Sequence, residues 1–179
     1  DFKTRQRLIT KFDASFKSKY ESKEIEAYVD YYKEAVKLLK SPDLVAFDIS
    51  KEDESVRNTY GNHRIGQGCL LARRLIEKNV RFVEVEFGSW DHHNDIYSPT
   101  NLIERAAQLD QALTALLDDL TAKGLISKTL VVLATEFGRT PAINPNSGRD
   151  HHPAAFTCVL AGAGIKAGQV VGRTDSIGR

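Results

Sequence analysis

Residues 127–137 read SKTLVVLATEF, and the run TLVVLA within them is apolar on every side. Amphipathic strands alternate, whereas a strand covered on both faces reads as a short continuous apolar run. This stretch therefore predicts a buried strand of a parallel sheet. Its neighbours fit that reading. Upstream, residues 101–123 (NLIERAAQLDQALTALLDDLTAK) carry a helical period that Gly124 closes, and before them VRFVEVEF (80–87) is a second strand candidate. RIGQGCLLARRLIEKN (64–79) reads as a helix with Ile65, Cys69, Leu70, Leu71 and Leu75 on its apolar side, and AAFTCVLAG (154–162) is a third strand candidate. Helix and strand in alternation predict an α/β fold, a mostly parallel sheet flanked by helices.

The first 60 residues have another texture. In KEIEAYVDYYKEAVKLLK (23–40), Ile25, Val29, Tyr32, Val36 and Leu39 recur at three- and four-residue spacing and make one helix face. Pro42 breaks that pattern, and KEDESVRNTYG (51–61) predicts a short helix that Gly61 ends. Residues 1–62 are thus expected to form a helical segment, and 63–179 the α/β portion of the same domain.

Composition narrows the function. With 25 basic and 24 acidic side chains in 179 residues, the net charge of +1 offers no field to attract nucleic acid. No apolar stretch approaches the roughly 20 residues of a membrane helix. The chain has no methionine and ends in the turn-like VVGRTDSIGR, which predicts an internal fragment of a longer protein. Cys69 and Cys158 sit in apolar surroundings and are expected to be buried free thiols, a disulfide between them remaining open.

Chemistry concentrates in three places. GSWDHHND (88–95) follows the first strand, Glu136 ends the second, and GRDHHP (148–153) precedes the third. Ligands of open parallel sheets gather at the carboxyl ends of strands, so these segments are expected at one edge. Divalent metals take imidazole nitrogen together with carboxylate oxygen. Asp91, His93, Glu136 and His151 are the candidate ligands, with His92, Asp150 and His152 as spares. Adjacent histidines point in different directions, so at most one of each pair is expected to ligate. Arg139 and Arg149 could receive a tetrahedral oxyanion, or tether the loops. Glu136 could bind a cation or pair with Arg139. Trp90 could wall the pocket or fill the core. Gly88, Gly138, Gly148 and Pro141 would permit sharp turns, and His63 reads as a surface or capping residue. Neither G-x-S-x-G nor G-x-x-x-x-G-K-[ST] occurs, and GAGIKAG (162–168) lacks dinucleotide spacing. Hydrogen bonding among the histidines and aspartates without any ion is the plainer alternative.

From GQGCLLARRLIEKNVRFVEVEFGSWDHHND through LDQALTALLDDL and TLVVLATEFGRTP to GRDHHPAAFTCVLAGAGIKAGQVVGRTD, the chain strongly resembles the DUF1501 family of bacterial proteins. That resemblance implies a fold like that of the alkaline phosphatase and sulfatase superfamily. It also implies a metal site of Asp91, His93 and His151, with Glu136 in the place of a strand-end ligand to a second metal. Where the family's motifs have threonine and tryptophan, His92 and His152 stand here; Phe137 follows Glu136 where the phosphatases have histidine. The implied activity is metal-dependent hydrolysis of phosphate or sulfate esters, with zinc first and manganese, calcium or magnesium open. A small anionic ester or a sulfated or phosphorylated glycan would be the substrate, and an upstream Ser or Thr the nucleophile. A non-catalytic binding or structural role on the same fold is the alternative. The resemblance further implies a periplasmic or secreted location.

Overall fold

The computed structural model describes residues 2–17, 19–20, 23–175 and 177–178. By its internal contacts the chain divides into two compact units, Asp1–Val45 and Ala46–Arg179.

The first unit contains α1 (Phe2–Lys17) and α2 (Lys23–Leu39). The three- and four-residue apolar spacing does specify α2, and acidic Glu24 and Glu26 in its first turn complement the helix dipole. Val29 and Val36 of the expected apolar face are half-buried, whereas Tyr32 and Leu39 are exposed. The Ile25 side chain lies outside the described ones.

The second unit is built on three helices, α3 (Glu54–Tyr60), α4 (Arg64–Glu77) and α5 (Glu104–Ala122). Gly61 ends α3 at φ +91°, a conformation that costs other residues and not glycine. His63 opens α4: its Nδ1 accepts the Gly66 N–H at 3.1 Å, the capping role its position suggested. Tyr60, Ile65, Cys69, Leu70, Ala112, Ala115, Leu116 and Leu120 form one buried cluster between these helices. The guanidinium of Arg73, 1% exposed, is enclosed with it. Glu52 Oε2 lies 2.8 Å from its Nη2, Asp119 Oδ2 2.7 Å from its Nε and Glu77 Oε2 3.2 Å from its Nη1. A buried cation surrounded by carboxylates recovers its lost hydration, and here it ties the segment before α3 to α4 and α5. Tyr60 completes the group by donating to Asp119 Oδ2 at 2.9 Å.

Among the described residues the expected parallel sheet is not formed. About half the chain is helical, and the strands make two small antiparallel pairs, β1 (Leu130–Leu133) with β4 (Val159–Gly162), and β2 (Gly138–Arg139) with β3 (His151–His152). The alkaline phosphatase-like core is therefore corrected to a mainly helical α/β arrangement. Two physical reasons account for it. A parallel pair needs a crossover, usually a helix, and residues 134–158 between β1 and β4 contain only the β2–β3 hairpin, so β4 returns antiparallel. VRFVEVEF also lacks a partner strand: among the described residues, 81–89 make no backbone hydrogen bond. From residue 82 on its side chains still alternate as in a strand, with Val83, Val85 and Phe87 turned inward and Phe82, Glu84 and Glu86 outward. Val85 and Phe87 pack on the helical core. TLVVLA is likewise covered on one face, since Val131 and Leu133 are half-buried while Leu130 and Val132 are about half exposed.

Candidate metal centre

Two loops build the site. The first leaves the extended segment at Trp90, which packs edge-on against Phe87 (5.5 Å, 89°). It then coils tightly, the His92 N–H reaching the Trp90 carbonyl and the His93 N–H that of Asp91. These successive tight turns alternate the side chains, so Asp91 and His93 face one way and His92 the other. The second loop is the β2–β3 hairpin. Its register sets Arg139 directly opposite His151, and directly opposed residues share a face.

Backbone contacts clamp the loops together. Asp95 N donates to Asn146 O (3.0 Å), Ile96 N to Ser147 O (2.9 Å) and Arg149 N to His92 O (3.0 Å). The approach is possible because residue 148 is glycine: a Cβ there would stand 2.1 Å from the carbonyl carbon and oxygen of His93.

Asp91, His93 and His151 converge as a result, each offering one ligand atom within 4.8 Å of the others. Asp91 Oδ1 lies 3.0 Å from His93 Nε2 and 2.8 Å from His151 Nε2, and the two nitrogens are 3.1 Å apart. Each ring nitrogen can carry one hydrogen, so at most two edges of this triangle can hold a proton on the line between the atoms. A cation would satisfy all three at once. The size fits one: bonds of about 2.0–2.1 Å place tetrahedral ligands about 3.3 Å apart and octahedral neighbours about 3.0 Å apart. The face is also open, with side-chain exposures of 62% for Asp91, 46% for His151 and 37% for His93.

Surrounding groups orient these three. Asp150 Oδ1 takes the far nitrogen of His93, Nδ1, at 2.7 Å. The His151 ring lies tilted between His93 (centroids 4.8 Å, 44°) and Phe137 (4.3 Å, 37°). Arg139 Nη2 lies 2.7 Å from Asp91 Oδ1, and its guanidinium carbon 5.5 Å from the Phe137 ring centroid. Asp91 is an unusually strong acid here: the hydrogen bond from His151, then that from Arg139, lower its pKa to about 2. Asp150 is lowered too, by hydrogen bonds first from His93 and then from Asn144.

The remaining candidates lie elsewhere. Glu136 stands exposed at a bend and is not one of the converging group; among the described residues it makes no ion pair, and Arg139 pairs with Asp91 instead. His92 turns away. Its Nε2 is shielded from water without a hydrogen-bond partner, and burial, then Arg139 and Arg105, lower its pKa. His152, on the opposite face of β3 from His151, bonds the Gly178 carbonyl at 2.6 Å. Each His-His pair thus contributes one member to the triangle. Arg149 tethers the hairpin, donating to the carbonyls of Thr140 and Pro141. Both cysteines are free; Cys69 is buried, with its thiol pKa raised to about 11 by burial, but Cys158 is exposed, against expectation.

Two contributors escaped the sequence reading. Asn144 makes hydrogen bonds to both loops, and Phe137 lies against the His151 ring. The turn chemistry of Asn144-Pro145-Asn146-Ser147-Gly148 was the available signal for the first.

The family model for a protein of unknown function (DUF1501) matches residues 1–179, so the chain belongs to that family. No curated protein and no solved structure matches it.

Proposed function

We propose that this DUF1501 member is a metal-dependent hydrolase of anionic esters, phosphate or sulfate, with Asp91, His93 and His151 holding one divalent ion. The observation that carries the reading is the triangle of Oδ1, Nε2 and Nε2 with edges of 2.8, 3.0 and 3.1 Å on an exposed face. Two imidazoles and one carboxylate suit zinc, with manganese next. An ion with three protein ligands keeps positions open for water and substrate, and supplies Lewis-acid chemistry there when bound.

The chain's own residues would do the rest. In the metal-free site the hydrogen bonds from His151 and then Arg139 hold the pKa of Asp91 down to about 2, so this one anionic ligand is ionised through the whole neutral range. Arg139 places a permanent cation beside the ligand triangle, where it can pair with a non-bridging oxygen of an ester as well as with Asp91. Asp150 and Phe137 hold the two imidazoles at their bearings. No part of this reading depends on a parallel-sheet core, and Glu136 and Arg149 have no task in it.

A second reading, a metal-binding protein without turnover, is favoured by one observation. Among the described residues no hydroxyl or thiol is hydrogen-bonded to Asp91, His93 or His151, so no nucleophile is poised beside them. Hydrolysis of aryl phosphate and aryl sulfate with Zn²⁺ or Mn²⁺ supplied separates the two. Metal-stimulated turnover that disappears in His93→Ala supports the hydrolase. Metal bound with no turnover supports the second reading, and turnover indifferent to that substitution removes the site from the chemistry.

A further inference from the structure

We propose that Asn144 and Asp150 are positioning residues that select the ring tautomer of His93. The inference rests on the metal reading above for its purpose, though not for its geometry. An ionised carboxylate only accepts hydrogen bonds, so the 2.7 Å contact from Asp150 Oδ1 to Nδ1 places the ring hydrogen on Nδ1. In the neutral imidazole this leaves a lone pair on Nε2, the atom that faces Asp91 and His151. Ligating histidines elsewhere are oriented by such outer carboxylates, which also raise the basicity of the ligand nitrogen.

Asp150 stands on a half-exposed loop and needs holding in turn, and Asn144 does this with one planar amide. Its Nδ2 donates to Asp150 Oδ1 (3.1 Å) and to the backbone carbonyl of His93 itself (3.0 Å). Its Oδ1 accepts the N–H groups of Asn146 and Gly148, both at 2.9 Å. Four contacts in fixed donor and acceptor senses determine which way the amide lies. They also make residue 144 chemically specific. An aspartate there has the same size and keeps both N–H contacts, but it sets oxygen against the Asp150 carboxylate and oxygen against the His93 carbonyl. The side chain thus ties the backbone position of His93 to the carboxylate that orients its ring.

The test uses the full chain and two readouts. Zn²⁺ titration is expected to give a dissociation constant about 10- to 100-fold weaker for Asp150→Ala and for the isosteric Asn144→Asp, and a smaller loss for Asp150→Asn, which retains an acceptor. Nitrogen NMR of ¹⁵N-histidine-labelled protein without metal is expected to show His93 protonated at Nδ1 in wild type and mixed between tautomers in Asp150→Ala. A merely structural role would not change the tautomer of a folded variant. If wild type binds no Zn²⁺, the metal reading fails while the tautomer result still decides the positioning role. If wild type binds and the variants match it in affinity and tautomer, the positioning role is overturned and the metal reading stands.

Discussion

Replacing Gly148 with alanine should separate the two loops of the site while leaving the helical core intact. The added Cβ would sit 2.1 Å from both the carbonyl carbon and oxygen of His93, and 2.5 Å from the Asn94 nitrogen. All three are backbone atoms, so no side chain can swing aside. Reaching an ordinary contact of 3.4 Å requires the loops to part by about 1.3 Å, the difference between those two distances. Metal ligands tolerate only about 0.2 Å of misplacement, so His93 and His151 could no longer share an ion, and Zn²⁺ affinity should fall by at least about 100-fold. Three backbone hydrogen bonds span the gap: Arg149 to His92, Asp95 to Asn146 and Ile96 to Ser147. Losing two or three of them at about 1 kcal/mol each predicts a destabilisation of about 2–3 kcal/mol. Calorimetric titration with Zn²⁺ and urea unfolding of the metal-free protein read the two effects separately. A Gly148→Ala protein with wild-type affinity and wild-type stability would refute the clamped-loop geometry.

Two further outcomes concern the core. Leu70→Ala, at a fully buried position between α4 and α5, should cost about 2–5 kcal/mol in urea unfolding, and a change below about 1 kcal/mol would contradict the packing described. The carboxyl of Glu52 is held below its ordinary value by the hydrogen bond from Arg73, which outweighs its burial, with Arg74 assisting. A group with a depressed folded-state pKa stabilises the fold above its unfolded pKa and loses that contribution as pH falls through the folded one. Wild type should therefore lose more stability than Glu52→Gln between about pH 5 and 3, and parallel profiles for the two would count against the ion cluster.

The helices were legible because each carries local information. Apolar spacing, the Pro42 break, the Gly61 stop and the His63 cap all act within a few residues, and α2, α3, α4 and α5 follow them closely. The sheet was not legible, because strand pairing is decided by distant partners. TLVVLA reads as a buried strand and VRFVEVEF as a second strand, yet one gained an antiparallel partner from residues 159–162 and the other, among the described residues, gained none. The site stands between these cases. Acid-His-His in each of two loops, with adjacent histidines pointing apart, marked Asp91, His93 and His151 without any knowledge of the sheet. Glu136 stands out in the sequence by its place at a strand end, but the bend at that position leaves it exposed and outside the converging group. For Asn144 the turn residues of 144–148 mark a turn, but no spacing in the sequence announces that its amide bridges the two loops.

Metal content measured on the chain itself bears most directly on the whole account. After incubation with Zn²⁺ and exhaustive dialysis, elemental analysis should find one ion per wild-type molecule and none in His93→Ala or His151→Ala, each variant having first been verified as folded. Wild-type protein that emerges empty, or variants that retain as much zinc as wild type, would contradict the assignment of Asp91, His93 and His151 as a cation site.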